Sequence, residues 1–354
     1  MMSEFHSLKV VDVKKETSDT VSVAFEISEN DKTTFDYISG QYLTLKFNID
    51  GNDERRSYSM CSSPFSSEPI RIAVKRVEKG LVSNHINDEI KVGDQIEVMP
   101  PQGNFTLETT LEQNTYVAFA AGSGITPIWS MIKSVLDKEP RSKFVLFYGN
   151  KTSDSTIFKN EIDALVGDHL SVYHVLSREE TGNPTTTGRI DKEKATNLLK
   201  TDLGLLKAKA FYMCGPEEMI FNVKDVLQTL GVSKDKINFE LFTTPVLLAE
   251  EKEVEVSNFT GTAKVKVIYD EEEVEFDLPS DGESVLEAAM RHDVDAPFSC
   301  KGAVCCTCKA KVTEGKMIMD ANYALSDEEV AEGFVLACQA HPASENVVLD
   351  FDEA

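Results

Sequence analysis

At 354 residues, with 41% apolar and 27% charged residues and no low-complexity tract, the chain has room for two or three domains and too much core-forming material for disorder. Its net charge of −24 weighs against nucleic acid as a partner. The longest apolar run, Tyr116 to Ala121, is far short of the roughly 20 residues that cross a bilayer, and Met1 to Val10 lacks a basic, apolar leader, so a cytoplasmic protein without membrane contact is expected.

In chain order, short β-branched runs come first: Thr20 to Ile27, Tyr42 to Phe47, Ile70 to Val77 and Gln95 to Met99, punctuated by Gly and Pro. Strands so spaced predict a small antiparallel barrel over residues 1–110. From Asn114 the texture changes. Tyr116 to Ala121 reads as a buried strand, Gly122 to Thr126 as a glycine turn and Pro127 to Leu136 as a helix. Phe144 to Tyr148, Leu170 to Leu176 and Ala210 to Cys214 add strands, separated by helical stretches at Ser155 to Leu165 and Pro216 to Leu230. This alternation predicts a parallel α/β sheet over residues 111–242. The Glu-rich stretch 243–260 is expected to be a linker. In residues 261–354, Lys264 to Tyr269 and Val274 to Leu278 predict a hairpin and Ser284 to His292 a helix. This last unit carries 21 Asp/Glu against 7 Lys/Arg, a net of −14, which serves solubility or steers the chain toward a basic partner.

Seven cysteines are present, and Cys300, Cys305, Cys306 and Cys308 crowd one short stretch. That is no disulfide framework. Cys300, Cys305 and Cys308 stand as Cys-x4-Cys-x2-Cys with Cys338 following, the plant-type 2Fe-2S spacing. A zinc site is the rival, but it favours paired Cys-x2-Cys knuckles. Cys306 falls outside the pattern and is expected to be a non-ligand thiol at the loop surface. Pro297 to Cys308 resembles the cluster loop of plant-type ferredoxins, which implies a β-grasp, α+β fold for residues 261–354.

Arg56-Ser57-Tyr58-Ser59 offers a cation, an aromatic ring and hydroxyls in an extended run. Alternation puts Arg56 and Tyr58 on one face, where a guanidinium suits a phosphate and a phenol ring suits a flavin. Gly80, Val82 and Ser83 open a helix that can present amides and a hydroxyl to an anion. Gly122, Gly124 and Thr126 form a strand-to-helix turn suited to a pyrophosphate, although the third glycine of G-x-G-x-x-G is missing. These motifs, with Pro100 to Phe105, Cys214-Gly215-Pro216 and Glu240-Leu241-Phe242, resemble the ferredoxin-NADP reductase superfamily.

The resemblance implies a multidomain oxidoreductase: a flavin-binding barrel, an NAD(P)-binding α/β domain and a ferredoxin-like domain. It implies that Ser59, Cys214 and Glu240 line the hydride-transfer site and that Phe242 covers the flavin. Ser177 and Arg178 are expected to grip the 2′-phosphate of NADPH, with NADH as the alternative donor and Lys151 or Arg189 as alternative cations. FAD is the expected flavin and FMN the alternative. The domain order resembles reductase components of bacterial multicomponent oxygenases, which makes the oxygenase component the expected electron acceptor. A di-iron epoxidase acting on an aryl-CoA and a Rieske-type ring-hydroxylating oxygenase both fit. A non-catalytic electron carrier is the alternative from another class.

Overall fold

The first sheet begins with β1 (His6–Thr17) and β2 (Thr20–Glu26), continues through the hairpin of β3 (Tyr42–Ile49) and β4 (Asn52–Ser59), and ends with β5 (Ile70–Lys75) and β6 (Gln95–Val98). The computed structural model describes residues 5–245 and 258–354. Asp50 and Gly51 turn the β3–β4 hairpin with φ of 53° and 84°, the paired left-handed conformation that matches strand twist. The strands run β4-β3-β6-β1-β2-β5, and a bridge from Met60 to Ile72 joins the two ends. The antiparallel barrel thus closes around Val10, Val23, Phe25, Leu43 and Ile72, with Val82 and Ile86 of α1 (Leu81–Asp88) packed on it.

The second sheet is wholly parallel. Its strands are β7 (Thr115–Ala121), β8 (Lys143–Asn150), β9 (Leu170–Leu176), β10 (Ala210–Cys214) and β11 (Ile237–Glu240), in the order β11-β10-β7-β8-β9. Helices α2 (Ile125–Lys138) and α3 (Lys159–Ala164) share one core with the sheet. The opposite face packs on α4 (Lys192–Lys200) and α5 (Glu217–Thr229). Succession reverses between β7 and β10, so the crevice at their carboxyl ends is the place where doubly wound sheets bind dinucleotides.

Two expectations shift. The helix foreseen from Ser155 to Leu165 starts only at Lys159, because Thr152 and Ser155 cap a 3-10 turn and Phe158 is left-handed at φ 59°. Helix α2 starts at Ile125, so Pro127 lies inside its first turn, where its missing N–H leaves no bond unmade.

The third unit is a mixed sheet, β13-β12-β18-β14-β16. It comprises β12 (Thr262–Tyr269), β13 (Glu272–Pro279), β14 (Lys309–Glu314), β16 (Phe334–Leu336) and β18 (Asn346–Asp350), with a side pair of β15 (Met317–Met319) and β17 (Ala340–Pro342). Helix α6 (Val285–Arg291), capped by Ser284, packs Val285, Leu286, Ala288 and Ala289 into its core, as the β-grasp reading expects; α7 (Asp327–Ala331) is short. Asp270 and Glu271 turn the β12–β13 hairpin at positive φ without a glycine, and the Asp352 carboxylate accepts both their amides at 2.9 Å. The stretch foreseen as a linker lies mostly outside the described residues.

Candidate functional site

The four spaced cysteines meet as two pairs. Cys300 and Cys305 hold their sulfurs 3.1 Å apart, and the thiols of Cys308 and Cys338 are hydrogen bonded across the loop. Within each pair one thiol donates to the other's sulfur, which brings Cys300 down to about 6 and Cys338 below the ordinary thiol range. The Gly302 amide donates to Cys300 Sγ at 3.3 Å, and the Gln339 side chain reaches Cys338 Sγ at 3.6 Å. Lys301 and Ala303 take left-handed backbone at φ 49° and 65°; each costs about 1 kcal/mol or more and folds the loop inward around the sulfurs. Among the described residues no three His, Cys, Asp or Glu side chains converge as a single ion requires. Two thiol pairs with amides aimed at sulfur fit a 2Fe-2S cluster, which Cys300, Cys305, Cys308 and Cys338 would hold.

Cys306, expected at the loop surface, is half-buried. Its amide donates to Tyr42 Oη at 3.1 Å, and burial against the barrel pushes its thiol up to about 11. The whole loop is seated on the β3–β4 edge. Tyr42 Oη meets Thr307 Oγ1 at 3.2 Å, Thr307 meets Thr44 at 3.4 Å, Thr44 meets Ser57 at 3.0 Å, and Ser57 donates to Ser299 at 2.8 Å. Beside them the buried Arg55 guanidinium bonds Asp53 and Asp295 and lies 4.3 Å from the Phe298 ring centre. Asn104 reaches Glu329 at 2.9 Å and Thr244 Oγ1 donates to Gly302 O at 3.0 Å.

Strand alternation divides the flavin motif between two faces. Arg56 and Tyr58 pair with Leu45 and Leu43 and share their face, as expected. Arg56 is exposed and already bound to Glu54 at 3.1 Å and to Arg55 O at 2.7 Å; Tyr58 packs on the barrel core. Ser57 and Ser59 turn the other way. Ser57 is taken up by Ser299, and buried Ser59 donates to Glu240 Oε2 at 3.3 Å. On the sheet side Cys214 and Glu240 are register partners across β10 and β11, so Ser59, Cys214 and Glu240 come together. Burial raises the Glu240 carboxyl to about 8; burial, then the Glu240 charge, hold the Cys214 thiol well above its ordinary value.

The two βα turns at the reversal point touch. A Cβ on Gly124 would lie 2.1 Å from Cys214 O, whereas one on Gly122 would meet nothing within 4 Å. Gly124 is therefore required for contact between the turns, and Gly122 leaves open space before α2, the room a pyrophosphate needs. Thr126 Oγ1 is spent on Ser123 O at 3.0 Å. In α1 the Ser83 hydroxyl accepts the Val77 amide at 3.1 Å beside Gly80, and Val82 is core, so this turn offers an anion backbone alone. Phe242 is exposed just past β11. Half-buried Ser177 and exposed Arg178 leave the end of β9, where Arg178 N bonds Lys151 O at 2.8 Å and Gly188 N bonds Leu176 O at 2.8 Å. Lys151, Arg178 and Arg189 thus share one corner. Sequence reasoning gave no docking role to Tyr42, Thr44, Arg55, Ser299 or Thr307. The available signal was polar alternation on two adjacent strands, Tyr42-x-Thr44 and Arg55-x-Ser57-x-Ser59.

The chain matches three domain families: Oxidoreductase FAD-binding domain over residues 7–107, Oxidoreductase NAD-binding domain over 119–225 and 2Fe-2S iron-sulfur cluster binding domain over 267–343. It is 39% identical to a subunit of the 1,2-phenylacetyl-CoA epoxidase of Escherichia coli (strain K12), over 99% of both chains. It is 32% identical to the ferredoxin reductase component of 3-ketosteroid-9-alpha-monooxygenase of Rhodococcus rhodochrous, over 97% of this chain and 96% of the relative. Among solved structures, phthalate dioxygenase reductase aligns over 98% of both chains with a TM-score of 0.59 and 24% identity, a likeness of fold.

Proposed function

Because the chain belongs to the family of flavin- and 2Fe-2S-dependent oxygenase reductases, we propose that it relays electrons from NADPH to the oxygenase component of a multicomponent monooxygenase, the di-iron phenylacetyl-CoA epoxidase of aerobic phenylacetate degradation. It is an NAD(P)H-dependent oxidoreductase with FAD and a 2Fe-2S cluster as its redox groups. When bound, FAD accepts a hydride from the nicotinamide and yields electrons singly to the cluster. The observation that carries the reading is the seating of the cysteine loop on the strand pair that bears Arg56 to Ser59.

In this reading Arg56 exchanges Glu54 for a flavin phosphate, and Tyr58 lies along the flavin ring. Gly122 and Gly124 admit the nicotinamide dinucleotide between β7 and β10. Ser59 and Glu240 position the ring edge. Glu240 keeps its proton up to about pH 8, so no fixed negative charge stands where hydride arrives. Cys214 contributes a small, neutral thiol. Arg178, with Lys151 and Arg189, receives the 2′-phosphate. Cys300, Cys305, Cys308 and Cys338 hold the cluster. Among the described residues no helix is long and apolar enough to cross a membrane; the reading places the protein in the reducing cytoplasm, where thiols reserved for a cluster escape disulfide formation.

Purified protein reconstituted with the epoxidase tests this. NADPH should bleach both the flavin and the cluster absorbance and support epoxidation of phenylacetyl-CoA, with NADH less effective. Bleaching without turnover by the epoxidase, but with turnover by a Rieske oxygenase, would move the acceptor. A cluster that NADPH leaves oxidised would overturn the relay itself.

A further inference from the structure

The hydroxyls at the barrel edge lie outside the hydride site, yet five of them form one unbroken chain: Tyr42, Thr307, Thr44, Ser57 and Ser299. Two of its members stand beside cluster ligands. Thr307 stands between Cys305 and Cys308 and reaches the Cys305 sulfur, while Ser299 precedes Cys300. Tyr42, Thr44, Thr307 and Ser299 are buried. A buried hydroxyl is costly unless paired, so an interface that needed packing alone would use apolar groups here. Instead each bond across the boundary is made only in one register of loop against strand, because hydrogen bonds fail within a fraction of an ångström and a few tens of degrees. The same strand carries Arg56 and Tyr58 one residue away on the other face.

We infer that this hydroxyl ladder is a positioning device that registers the cluster loop against the flavin-bearing strand and thereby sets the rate of electron transfer from flavin to cluster. The inference rests on the relay described above. One NADPH delivers two electrons as a hydride; the flavin hands them to the cluster one at a time, and an added acceptor such as ferricyanide removes them. No ladder hydroxyl is hydrogen bonded to Ser59, Cys214 or Glu240, so the ladder is assigned to the second step alone.

Stopped-flow reduction of full-length holoenzyme by NADPH separates the two steps, flavin bleaching first and cluster bleaching second. Thr44→Val removes the central hydroxyl at nearly constant volume and breaks two links of the ladder. The flavin step should keep its wild-type rate while the cluster step slows roughly tenfold, the worth of one to two hydrogen bonds. Thr44→Ser, which keeps the hydroxyl, should restore it, and the EPR signature of the reduced cluster should be unchanged in both variants. Should Thr44→Val fail to load its cofactors, Ser299→Ala carries the same comparison. Wild-type cluster reduction in either loaded variant overturns the inference. Equal slowing of both steps also overturns it, in favour of a general structural role. Failure of wild-type protein to pass electrons from NADPH to the cluster is a separate result, and it overturns the relay.

Discussion

Replacing Glu240 by glutamine removes an ionisation that the fold opposes. The carboxyl titrates near 4.5 in an unfolded chain and at about 8 in the structure, because burial disfavours its charge. Over that shift the ceiling is about 5 kcal/mol at ~1.36 kcal/mol per unit, and Glu240 retains some exposed surface, which lowers it. Between pH 4.5 and 8 the folded protein holds a proton that the unfolded chain has released. Stability therefore falls as pH rises through this window, and the loss is complete above it. Glu240→Gln abolishes this loss. In denaturant titrations of the cofactor-free protein, the variant should match the wild type at about pH 5 and exceed it at about pH 9 by roughly 2–5 kcal/mol. The same proton keeps the hydride site neutral, so the rate of NADPH-to-flavin transfer should drop above about pH 8 in the wild type and stay level in Glu240→Gln. Parallel pH profiles for the two proteins, in both stability and rate, would refute the assignment.

Cys338→Ser should lose the cluster absorbance yet keep NADPH-driven ferricyanide reduction at the flavin, measured on one preparation; joint loss would contradict the division of labour. Gly124→Ala puts a methyl 2.1 Å from Cys214 O and must part the two turns, so NADPH affinity, read by titration of flavin absorbance, should fall at least about tenfold, as expected for ångström-scale misplacement. Arg178→Ala should raise the KM for NADPH by roughly ten- to a hundredfold, the loss of a charge-assisted phosphate bond, and leave that for NADH unchanged. An equal effect on both nucleotides would place the 2′-phosphate elsewhere.

What could be read in the sequence was whatever local chemistry writes into short spacings. The Cys-x4-Cys-x2-Cys run, the glycine turn before α2 and the acid-rich β12–β13 hairpin are each specified by residues close together in the chain. Strand β1 was missed because its pairing with β2 shifts register between Val10 and Asp12 and again between Lys15 and Thr17, which scrambles the alternation that marks a strand. Strand β4, Asn-Asp-Glu-Arg-Arg-Ser-Tyr-Ser, carries no apolar alternation because one of its faces meets another domain. The hydroxyl ladder was invisible for the same reason: its cross-domain partners are more than 240 residues apart, and only tertiary structure brings them together.

The charge of the third unit sets these neutral contacts against a long-range repulsion. It carries −14 and leaves −10 to the rest of the chain, so two negatively charged bodies must dock. Long-range electrostatics opposes that approach. The interface answers with short-range hydroxyl bonds, each worth about 1 kcal/mol, and one buried cation, Arg55, shared between Asp53 and Asp295. Added salt shortens the Debye length to about 10 Å at 0.1 M; this screens the net repulsion and hardly touches the neutral hydroxyls. Flavin-to-cluster transfer should therefore hold its rate or rise as ionic strength increases. Delivery outward runs the other way if the acceptor presents a basic face to the acidic domain, because screening then weakens attraction. Stopped-flow cluster reduction and steady-state turnover with the oxygenase, measured over the same salt series, should diverge. An internal step that slows steeply with salt would mean that charge rather than the ladder holds the cluster in place.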